Sequence, residues 1–457
     1  MRLDAVSTAS GAALRLGSAA RAPATRLREQ ARAIVLLLSL AFLVRIAWTA
    51  VSGWSPTPED DAYRYDFYAR NLADGLGYIH LNGEPTAFWP PGYALLLAGA
   101  YSLFGQHVEV AQAMNALLGT ATVALVYLIG LRLFGHRPAL IAAAIVAFFP
   151  SLIFFTAVTL SEVAFTFFAL LAVLLLLIEA HAARGSQRDL RWLLAAGLVL
   201  GFASLMRGQA LLLPLVLVPF WLRSGIDWQG VARGVVALAL GIGLIVAPWS
   251  VRNAVELHAP VVIATNAGVD FWIGHHESAG GDFGANGGDE LVYRHPQLAS
   301  PEREVRVNNE GFREGLEFAV THPQDELLLP FKKLFWLYYN DEEGLRWNEG
   351  HGGQEFLAGP LRDALLAISN VYYYAVLGLL LFGVPLWFSI REPGRVLLLS
   401  LLLYWTGIHL VFFGDPRFHA PVMPIVALLA ALPLAALRFG DEGPRQEPAR
   451  IEAEPGF

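Results

Sequence analysis

The sequence predicts an all-α polytopic membrane protein, from its composition, its recurrent apolar runs and its placement of arginine. Of its 457 residues 55% are hydrophobic and only 16% are charged, whereas about 25% of the residues of a soluble protein are charged. Runs such as AIVLLLSLAFLV and VLLLSLLLYWTGIHLVFF recur along the chain, and a helix needs about 20 predominantly apolar residues to cross the hydrocarbon core. The chain has no cysteine, which excludes disulfides and thiolate metal sites.

Hydropathy predicts about ten transmembrane helices, several of them short enough to be tilted or partly re-entrant. The first apolar run ends at a passable signal-peptidase site, Ala50-Val51-Ser52. It is longer than the apolar core of a signal peptide, so an uncleaved first span is favoured over a removed leader. The predicted spans are residues 33–51, 110–131, 138–156, 163–180, 191–206, 209–222, 234–250, 365–389, 395–413 and 419–438.

Arginine predicts the orientation of these spans, because basic residues are enriched in short cytoplasmic loops. With ten spans, the arginines of the tails and short loops fall on one side of the membrane, which places both termini in the cytoplasm. We expect the protein to lie in the inner membrane of the cell. These residues are Arg2, Arg15, Arg21, Arg26, Arg28, Arg32, Arg132, Arg137, Arg184, Arg188, Arg191, Arg223, Arg233, Arg391, Arg395, Arg438, Arg445 and Arg450.

The predicted topology divides the chain into five parts. A transmembrane core with a first outer loop at 52–109 is followed by a long extracytoplasmic region and three further helices. The parts are a basic cytoplasmic tail (1–32), the catalytic transmembrane core (33–250), the extracytoplasmic region (251–364), the C-terminal transmembrane helices (365–438) and a cytoplasmic tail (439–457).

The apolar segment PPGYALLLAGAYSLFG, residues 90–105, lies within the first outer loop. Counting it as a span would reverse every later loop and spoil the arginine pattern. We therefore expect a helix lying along the outer membrane surface, with a short true span as the alternative.

Four arginines break the cytoplasmic pattern and lie near the outer ends of spans: Arg45, Arg207, Arg252 and Arg417. Charge at membrane depth is costly and usually marks a functional site. A guanidinium offers a rigid fork of donors that suits phosphate. We expect these arginines to bind an anionic group at the outer interface; the alternative is snorkelling or local pairing, such as Asp415 with Arg417.

Three consecutive acids, Glu59, Asp60 and Asp61, follow the first span. One reading is a capped interfacial helix, because DDAYRYDFYARNLADG is helix-compatible and acids suit a helix N-terminus. A second is a carboxylate general base that faces an anionic lipid substrate. A third is a divalent-metal site of Asp60, Asp61 and Asp66, for which the sequence offers no clear cage.

Two other polar elements have open roles. Glu162, in TLSEVAF, either supports a site by hydrogen bonding or is only an acid at a helix start. His275 and His276 stand side by side in a glycine-rich loop. Adjacent ligands fit poorly around one ion, so we expect a flexible polar loop here rather than a metal site. The sequence shows no Walker motif and no basic nucleic-acid surface.

These pieces, taken in order, resemble the membrane glycosyltransferases of the C-type fold, in particular the bacterial family 39 and protein O-mannosyltransferase-like enzymes. The resemblance covers about residues 33–438. EDDAYRYDFYARNLADGLGY is similar to the first outer loop of the family with its acidic pair, and AFWPPGYALLLAGAYSLFG to the Pro-Pro-Gly-Tyr segment. TLSEVAF, LMRGQALLLP, APWSVRN and DPRFHAPVMP resemble later elements.

The resemblance implies transfer of a hexose or pentose from a polyprenyl-phosphate donor to an acceptor hydroxyl, with inversion and without metal or nucleotide. The first acid of the family's pair, the general base, maps to Asp60; the family usually has Glu second, where this chain has Asp61. A lysine that related lipid A aminoarabinose transferases carry before Pro-Pro is Trp89 here. That change argues against the same substrates. Phosphate binding is then expected from Arg207, Arg252, Arg417 and Arg45, with Glu162, Tyr63 and Tyr93 supporting the site.

Two other classes of function compete with this one. A transporter or flippase for a lipid-linked solute would place ionisable residues deep within its spans. A polysaccharide polymerase or ligase would use the same carrier and paired arginines in a large outer loop, for which Arg294, Arg303, Arg306 and Arg313 are candidates. The acceptor, whether protein, lipid or polysaccharide, is not encoded in any motif.

Overall fold

The computed structural model of the protein is built from α-helices and describes residues 5–58, 60–182, 188–284, 288–349, 355–387 and 393–437. Glu59 and the predicted C-terminal tail, 439–457, lie outside these residues. Within them the only β-type pairing is an isolated bridge between Ile79 and Pro85. The predicted all-α fold class is confirmed.

The helices follow one another with short connections, except where two longer loop regions intervene. We call residues 53–107 the first loop and residues 257–358 the connecting region. In the described residues the helices are α1 (Ala5–Ser52), α2 (Asp61–Ala73), α3 (Gly92–Phe104), α4 (Val108–Phe134), α5 (His136–Ala147), α6 (Pro150–Phe154), α7 (Glu162–Ala182), α8 (Leu190–Met206), α9 (Leu213–Val216), α10 (Val218–Arg223), α11 (Trp228–Glu256), α12 (Ala267–Ile273), α13 (Asp289–Val292), α14 (Ser300–Thr321), α15 (Pro323–Tyr338), α16 (Glu343–Glu349), α17 (Gly359–Phe382), α18 (Val384–Trp387), α19 (Pro393–Val411) and α20 (Met423–Ala436), with 3₁₀ helices at Phe155–Ala157, Gly208–Leu212 and Pro416–Val422.

Seven helical segments of the described chain are long and apolar enough to cross a membrane, as expected of an integral membrane protein. They are Arg28–Ser52, Val108–Phe134, Glu162–Ala180, Trp228–Glu256, Gly359–Phe382, Pro393–Val411 and Pro416–Ala436. The segments His136–Ala147 and Pro150–Ala157 meet at 61° and form an eighth span if counted together. The predicted spans 191–206 and 209–222 coincide with shorter apolar helices. The count of ten therefore stays a prediction.

Helices α8 and α11 approach closely because glycines face each other across their contact. A Cβ atom on Gly197 would lie 2.6 Å from the Leu238 carbonyl oxygen, and one on Gly241 would lie 2.7 Å from the Gly197 Cα. Small residues let membrane helices bring their backbones together, which maximises van der Waals contact where no hydrophobic effect drives association. This packing fixes the end of α8, where Arg207 lies.

The first loop folds as two helices that pack on the ends of the spans. Helix α3 has 13 residues and is one of the shorter apolar helices. It packs against α2, α4 and α8. A Cβ atom on Gly92 would lie 2.7 Å from the Leu205 carbonyl carbon, so the start of α3 touches the end of α8 directly.

The connecting region is tied to the first loop by a buried glutamate. Glu304, on α14, accepts hydrogen bonds from the Ala87 amide at 3.0 Å and from the Thr265 hydroxyl at 2.7 Å. Its other oxygen lies 3.2 Å from the His80 ring. Arg252, near the end of α11, also holds the first loop, because it donates to the carbonyl oxygens of Thr86 and Tyr78. The two loop regions are thus held together over the same end of the helical bundle.

Candidate active site

Four charged residues meet where helices end, and the local sequence explains each position. Asp61 is the first residue of α2 and Glu162 the first residue of α7. Arg207 has extended backbone angles immediately after α8. Arg417 lies in the 3₁₀ helix Pro416–Val422, which follows a Gly-Asp-Pro break. Because helix ends leave backbone groups unpaired and the chain turns there, charged side chains are tolerated at these points more readily than within a span.

The four side chains form one ion-paired cluster. Arg417 donates from Nη1 to Asp61 Oδ2 at 3.0 Å and from Nε to Glu162 Oε1. Arg207 donates from Nη2 to the same Glu162 oxygen at 2.7 Å. The Glu162 side chain is 2% exposed, whereas that of Asp61 is 37% exposed. Glu162 is therefore the buried centre of the cluster, and Asp61 is its accessible end.

Aromatic rings hold the two guanidinium groups in place. The Arg417 guanidinium lies 4.6 Å from the Trp347 ring centroid. The Arg207 guanidinium lies 5.4 Å from the ring of Phe418 and 6.0 Å from that of Phe165. A cation over an aromatic face gains up to about 2 kcal/mol in a desolvated site. The arginines are thereby oriented before any ligand arrives.

Asp60 occupies a different environment from Asp61, although the two are adjacent. Its Oδ1 atom accepts the Tyr63 amide at 2.7 Å and its Oδ2 atom accepts the Thr57 hydroxyl at 3.3 Å. Asp60 is therefore the N-cap of α2, and it is buried. The capped-helix reading of the acidic run is right for Asp60, whereas the carboxylate of Asp61 faces the arginines.

Sequence reasoning missed one acid of this site, Asp270 on α12. Its Oδ2 atom accepts a hydrogen bond from Asn266 Nδ2 at 3.2 Å. Burial raises its pKa to about 7, and the charge of Asp61 adds to this rise while Arg207 and Arg417 oppose it. The surrounding sequence, ATNAGVDFW, has no periodicity or motif that marks the residue. Its partners come from distant parts of the chain.

The remaining predicted arginines lie apart from the cluster. Arg252 donates to the Thr86 and Tyr78 carbonyl oxygens at 2.6 and 2.7 Å, so it holds the first loop. Arg45 is 1% exposed. It donates to carbonyl oxygens of α1 and of the end of α5, which include those of Ala41 and Ala147, each at 3.0 Å.

The predicted supporting tyrosines also have different surroundings. Tyr63 stacks on Phe67 with ring centroids 6.1 Å apart. Tyr93 is fully buried and donates to Asn115 Oδ1 at 3.2 Å. Tyr65, which packs edge-on against Tyr93, lies within the electrostatic influence of the cluster. Burial and the Asp61 charge raise its pKa to about 12.

His275 departs from the expected flexible loop, because it is buried in a hydrogen-bonded group. Its Nδ1 atom lies 2.7 Å from Glu326 Oε1, and its Nε2 atom lies 2.6 Å from the Val411 carbonyl oxygen and 3.1 Å from Lys333 Nζ. Lys333 is fully buried, which lowers its pKa to about 8. The expectation of flexibility is wrong at His275.

Arginines of the connecting region are paired with glutamates of α13 and α14. Arg294 donates to Glu314 at 2.8 Å, and Arg306 donates to Glu310 at 3.1 Å. Arg313 lies 3.6 Å from Glu314. These pairs neutralise much of the positive charge that the polymerase or ligase alternative requires.

The geometry belongs to a helical membrane protein of the C-type glycosyltransferase fold. The Archaeoglobus fulgidus oligosaccharyltransferase in its apo form aligns with 88% of this chain and 50% of its own, at 17% identity and a TM-score of 0.53. The oligosaccharyltransferase AglB from the same archaeon, in complex with an inhibitory peptide and a dolichol-phosphate, aligns with 87% of this chain and 50% of its own, at 16% identity and a TM-score of 0.50. This chain therefore spans about half the length of that enzyme. ArnT from Cupriavidus metallidurans bound to undecaprenyl phosphate covers 85% of this chain and 77% of its own, at 17% identity and a TM-score of 0.46.

A family model adds a similarity in sequence to this likeness in fold. Residues 89–251 match the model of dolichyl-phosphate-mannose-protein mannosyltransferases. The matched range includes Glu162 and Arg207 but neither Asp61 nor Arg417. No curated protein matches the chain. The resemblance predicted from the sequence is confirmed, and through it the chain is related to glycosyltransferases.

Proposed function

We propose that the protein is an integral membrane glycosyltransferase that moves a sugar from a polyprenyl-phosphate donor to an acceptor hydroxyl on the extracytoplasmic face. The observation that carries the proposal is the cluster of Asp61, Arg417, Glu162 and Arg207, in which a partly exposed carboxylate adjoins oriented arginines at the ends of spans. The family similarity supports the reaction class. The dolichol-phosphate in the AglB complex supports the class of carrier.

Arg207 and Arg417 are the proposed ligands of the donor phosphate. Both are partly accessible, with side chains 9% and 11% exposed. Arg207 Nε is a buried donor without a hydrogen-bond partner among the described residues. Burying such a donor unpaired costs about 1–3 kcal/mol, and a phosphate oxygen would remove that cost. Glu162 fixes both guanidinium groups without occupying all of their donors.

Asp61 is the proposed general base, in place of Asp60. The carboxylate of Asp60 caps α2, whereas that of Asp61 is exposed beside Arg417. Asp61 accepts the proton of the acceptor hydroxyl, and the oxygen of that hydroxyl attacks the anomeric carbon of the sugar. The bond from that carbon to the phosphate oxygen breaks, and its electron pair stays on the phosphate. Arginine charge stabilises the leaving group, the kind of electrostatic effect that is often the largest in catalysis.

The test compares Asp61→Asn with its neighbour Asp60→Asn in vesicles that contain the purified protein and labelled polyprenyl-phosphate sugars. We expect Asp61→Asn to lower the transfer rate at least about 100-fold, the usual contribution of a general base. Asp60→Asn removes the charge of the cap but keeps the cap itself, because asparagine also caps helices well. It is expected to retain most turnover and to unfold at nearly the wild-type temperature.

Full turnover by Asp61→Asn would refute the base assignment. Loss of turnover in Asp60→Asn alone would return that role to the first acid. The same vesicles also test the transporter alternative. A flippase would move the labelled lipid to the opposite leaflet, where an added reagent can reach it, without cleaving the sugar. Such movement without transfer would overturn the enzyme proposal.

A further inference from the structure

We propose that Arg45 positions Glu162 through one buried water molecule and thereby sets the affinity of the phosphate site. Arg45 is then neither a phosphate ligand nor a snorkelling residue, but a positioning residue beneath the cluster. This inference rests on the proposed function. Four observations carry it: a cavity, two unpaired polar atoms, a closely packed glycine and the balance of charge.

A small cavity lies between the two side chains. It has a volume of about 20 Å³, and its lining includes Arg45, Gly119, Thr122, Glu162 and Thr166. A water molecule needs about 10–15 Å³ and two to four polar partners. The cavity therefore has room for a single water and is too small for a phosphate or a sugar.

Arg45 and Glu162 both line this cavity, and each has one unsatisfied polar atom. Arg45 Nε and Glu162 Oε2 are buried and have no hydrogen-bond partner among the described residues. The terminal nitrogens of Arg45 are fixed on backbone oxygens, so Nε is the one nitrogen of this guanidinium without a partner among the described residues. Because Glu162 Oε1 serves the two site arginines, Oε2 is the oxygen left for a water.

The threonines of the lining complete the coordination of such a water. Thr122 donates its hydroxyl proton to the Leu118 carbonyl at 2.9 Å, and Thr166 donates to the Glu162 carbonyl at 2.7 Å. Each hydroxyl oxygen has used its proton as a donor, but it keeps lone pairs that can accept a hydrogen bond. A water can accept from Arg45 Nε and donate to Glu162 Oε2 and to one threonine oxygen.

Gly119 explains how Arg45 fits beside α4. A Cβ atom at this position would lie 2.8 Å from Arg45 Nε and 3.2 Å from its Cδ. These atoms belong to the middle of the side chain, whose end is anchored on carbonyl oxygens. They have little freedom to move. A methyl group at residue 119 would therefore displace Nε from the cavity.

The charge balance connects this arrangement to the ligand. Without Arg45, the two positive charges of Arg207 and Arg417 are balanced by the negative charges of Glu162 and Asp61. With Arg45 linked to Glu162, three guanidinium groups face the carboxylates of Glu162 and Asp61, which leaves a positive excess for an anion while Asp270 is neutral. Arg45 shares the negative charge of Glu162, so Arg207 and Arg417 retain more attraction for phosphate.

The test uses Gly119→Ala and Arg45→Gln, with Gly243→Ala as the matched control. Gly243 lies in α11, and a Cβ atom there would meet nothing within 4 Å. We expect both test variants to raise the KM for the labelled lipid donor about tenfold, the effect of losing one hydrogen bond to a charged group. Their kcat should change less, and the control should keep both constants.

Infrared difference spectroscopy supplies a readout that needs no turnover. The carboxylate band of Glu162, assigned with Glu162→Gln, should shift in Gly119→Ala and Arg45→Gln and stay fixed in Gly243→Ala. Exchange into H₂¹⁸O should reveal the stretching band of a buried water that both test variants lose. Gly119→Ala keeps the proposal testable if Arg45→Gln does not fold.

Each outcome decides the inference. An unchanged Glu162 band together with unchanged donor KM in Gly119→Ala would overturn it. A higher KM without a shift of the band or loss of the water band would refute the water link and indicate a general packing defect. If even wild type transfers no sugar, the proposed function fails and the effect on donor affinity fails with it. A shifted band would then establish only the link between Arg45 and Glu162.

Discussion

Two carboxyl groups, Asp61 and Asp270, face the same pair of arginines in different environments. Asp61 is paired with Arg417 and is 37% exposed. The Asp270 carboxyl is hydrogen-bonded to Asn266, and burial raises its pKa to about 7. The neutral form of Asp270 leaves the charge of the arginines to the donor.

The ionisation of Asp270 predicts a pH-dependent donor affinity. As the pH rises through about 7, Asp270 becomes negative and competes with phosphate for Arg207 and Arg417. We expect the donor KM of wild type to rise between about pH 6 and pH 8, since one pKa unit on each side spans most of a titration. Asp270→Asn should flatten that rise, as measured by initial rates across this range.

Stability should depend on the same ionisation with a definite sign. The pKa of Asp270 in the folded protein lies above its ordinary value of 3.8. The free energy of unfolding therefore falls as the pH rises from about 3.8 to about 7, and the full loss is present above about pH 7. Asp270→Asn should raise the unfolding temperature relative to wild type at pH 8 but not at pH 4. A KM profile that is identical in both proteins would remove Asp270 from the site.

Among single residues, hydropathy and charge indicated which side chains are unusual but not which neighbours they face. The sequence marked Arg207 and Arg417 as unusual because they break the cytoplasmic arginine pattern, and it left the role of Glu162 open. It did not separate Arg45 from them, since a hydropathy pattern reports how far a residue lies along a span and not which neighbour it faces. Arg45 instead donates to carbonyl oxygens within α1 and at the end of α5.

At the scale of helices, the contact between α8 and α11 controls where Arg207 lies. Arg207 directly follows the last residue of α8. The contact depends on Gly197 and Gly241, whose positions leave no room for a side chain. A change in this packing would move the guanidinium relative to Glu162, although neither glycine touches the site.

Gly197→Ala is predicted to lower stability and donor use together. Its Cβ atom would lie 2.6 Å from the Leu238 carbonyl oxygen, which belongs to backbone that cannot rotate away. Overpacking of this kind costs about 1–3 kcal/mol. Thermal unfolding in detergent micelles should show the loss, and the transfer assay should show a higher donor KM.

Gly243→Ala is again the control for this comparison, because its Cβ atom has open space and alanine favours a helix by about 1 kcal/mol. It should unfold at the wild-type temperature or slightly above it. Equal unfolding temperatures for the two variants would show that the α8–α11 contact is loose enough to absorb a methyl group.

At the scale of the whole molecule, the all-α class could be predicted from apolar runs alone, but the assembly of the site could not. Asp61 and Arg417 are separated by 356 positions in the chain. No local pattern encodes such a pairing, which arises only when the ends of α2 and of the last span meet. Asp270 was missed for the same reason, because its charged neighbours are distant in sequence and close in space.

Glu304 is predicted to hold the two loop regions together. Glu304→Ala removes the acceptor of the Ala87 amide and of the Thr265 hydroxyl, and it leaves His80 without its partner. Hydrogen bonds to a buried charged group contribute about 1.5–3 kcal/mol each. We expect faster amide exchange at residues 78–88 and 261–268, measured by mass spectrometry, while the spanning helices keep their protection.

The control for this prediction is Glu302→Ala, which lies on the same helix with an exposed side chain. It should leave exchange in both segments unchanged. If Glu304→Ala also leaves it unchanged, the loop regions are held by their apolar contacts and not by this carboxylate.

The tie through Glu304 also has a consequence for how such proteins diverge. The first loop carries Asp61, and the connecting region carries Asp270 and Glu304. A substitution on one side of the tie alters the fit of the other, so the two segments are expected to be inherited as a unit. The two segments would then be exchanged between relatives only by transplanting both at once, and a chimaera that replaces the connecting region alone would lose the Glu304 contacts that hold the first loop.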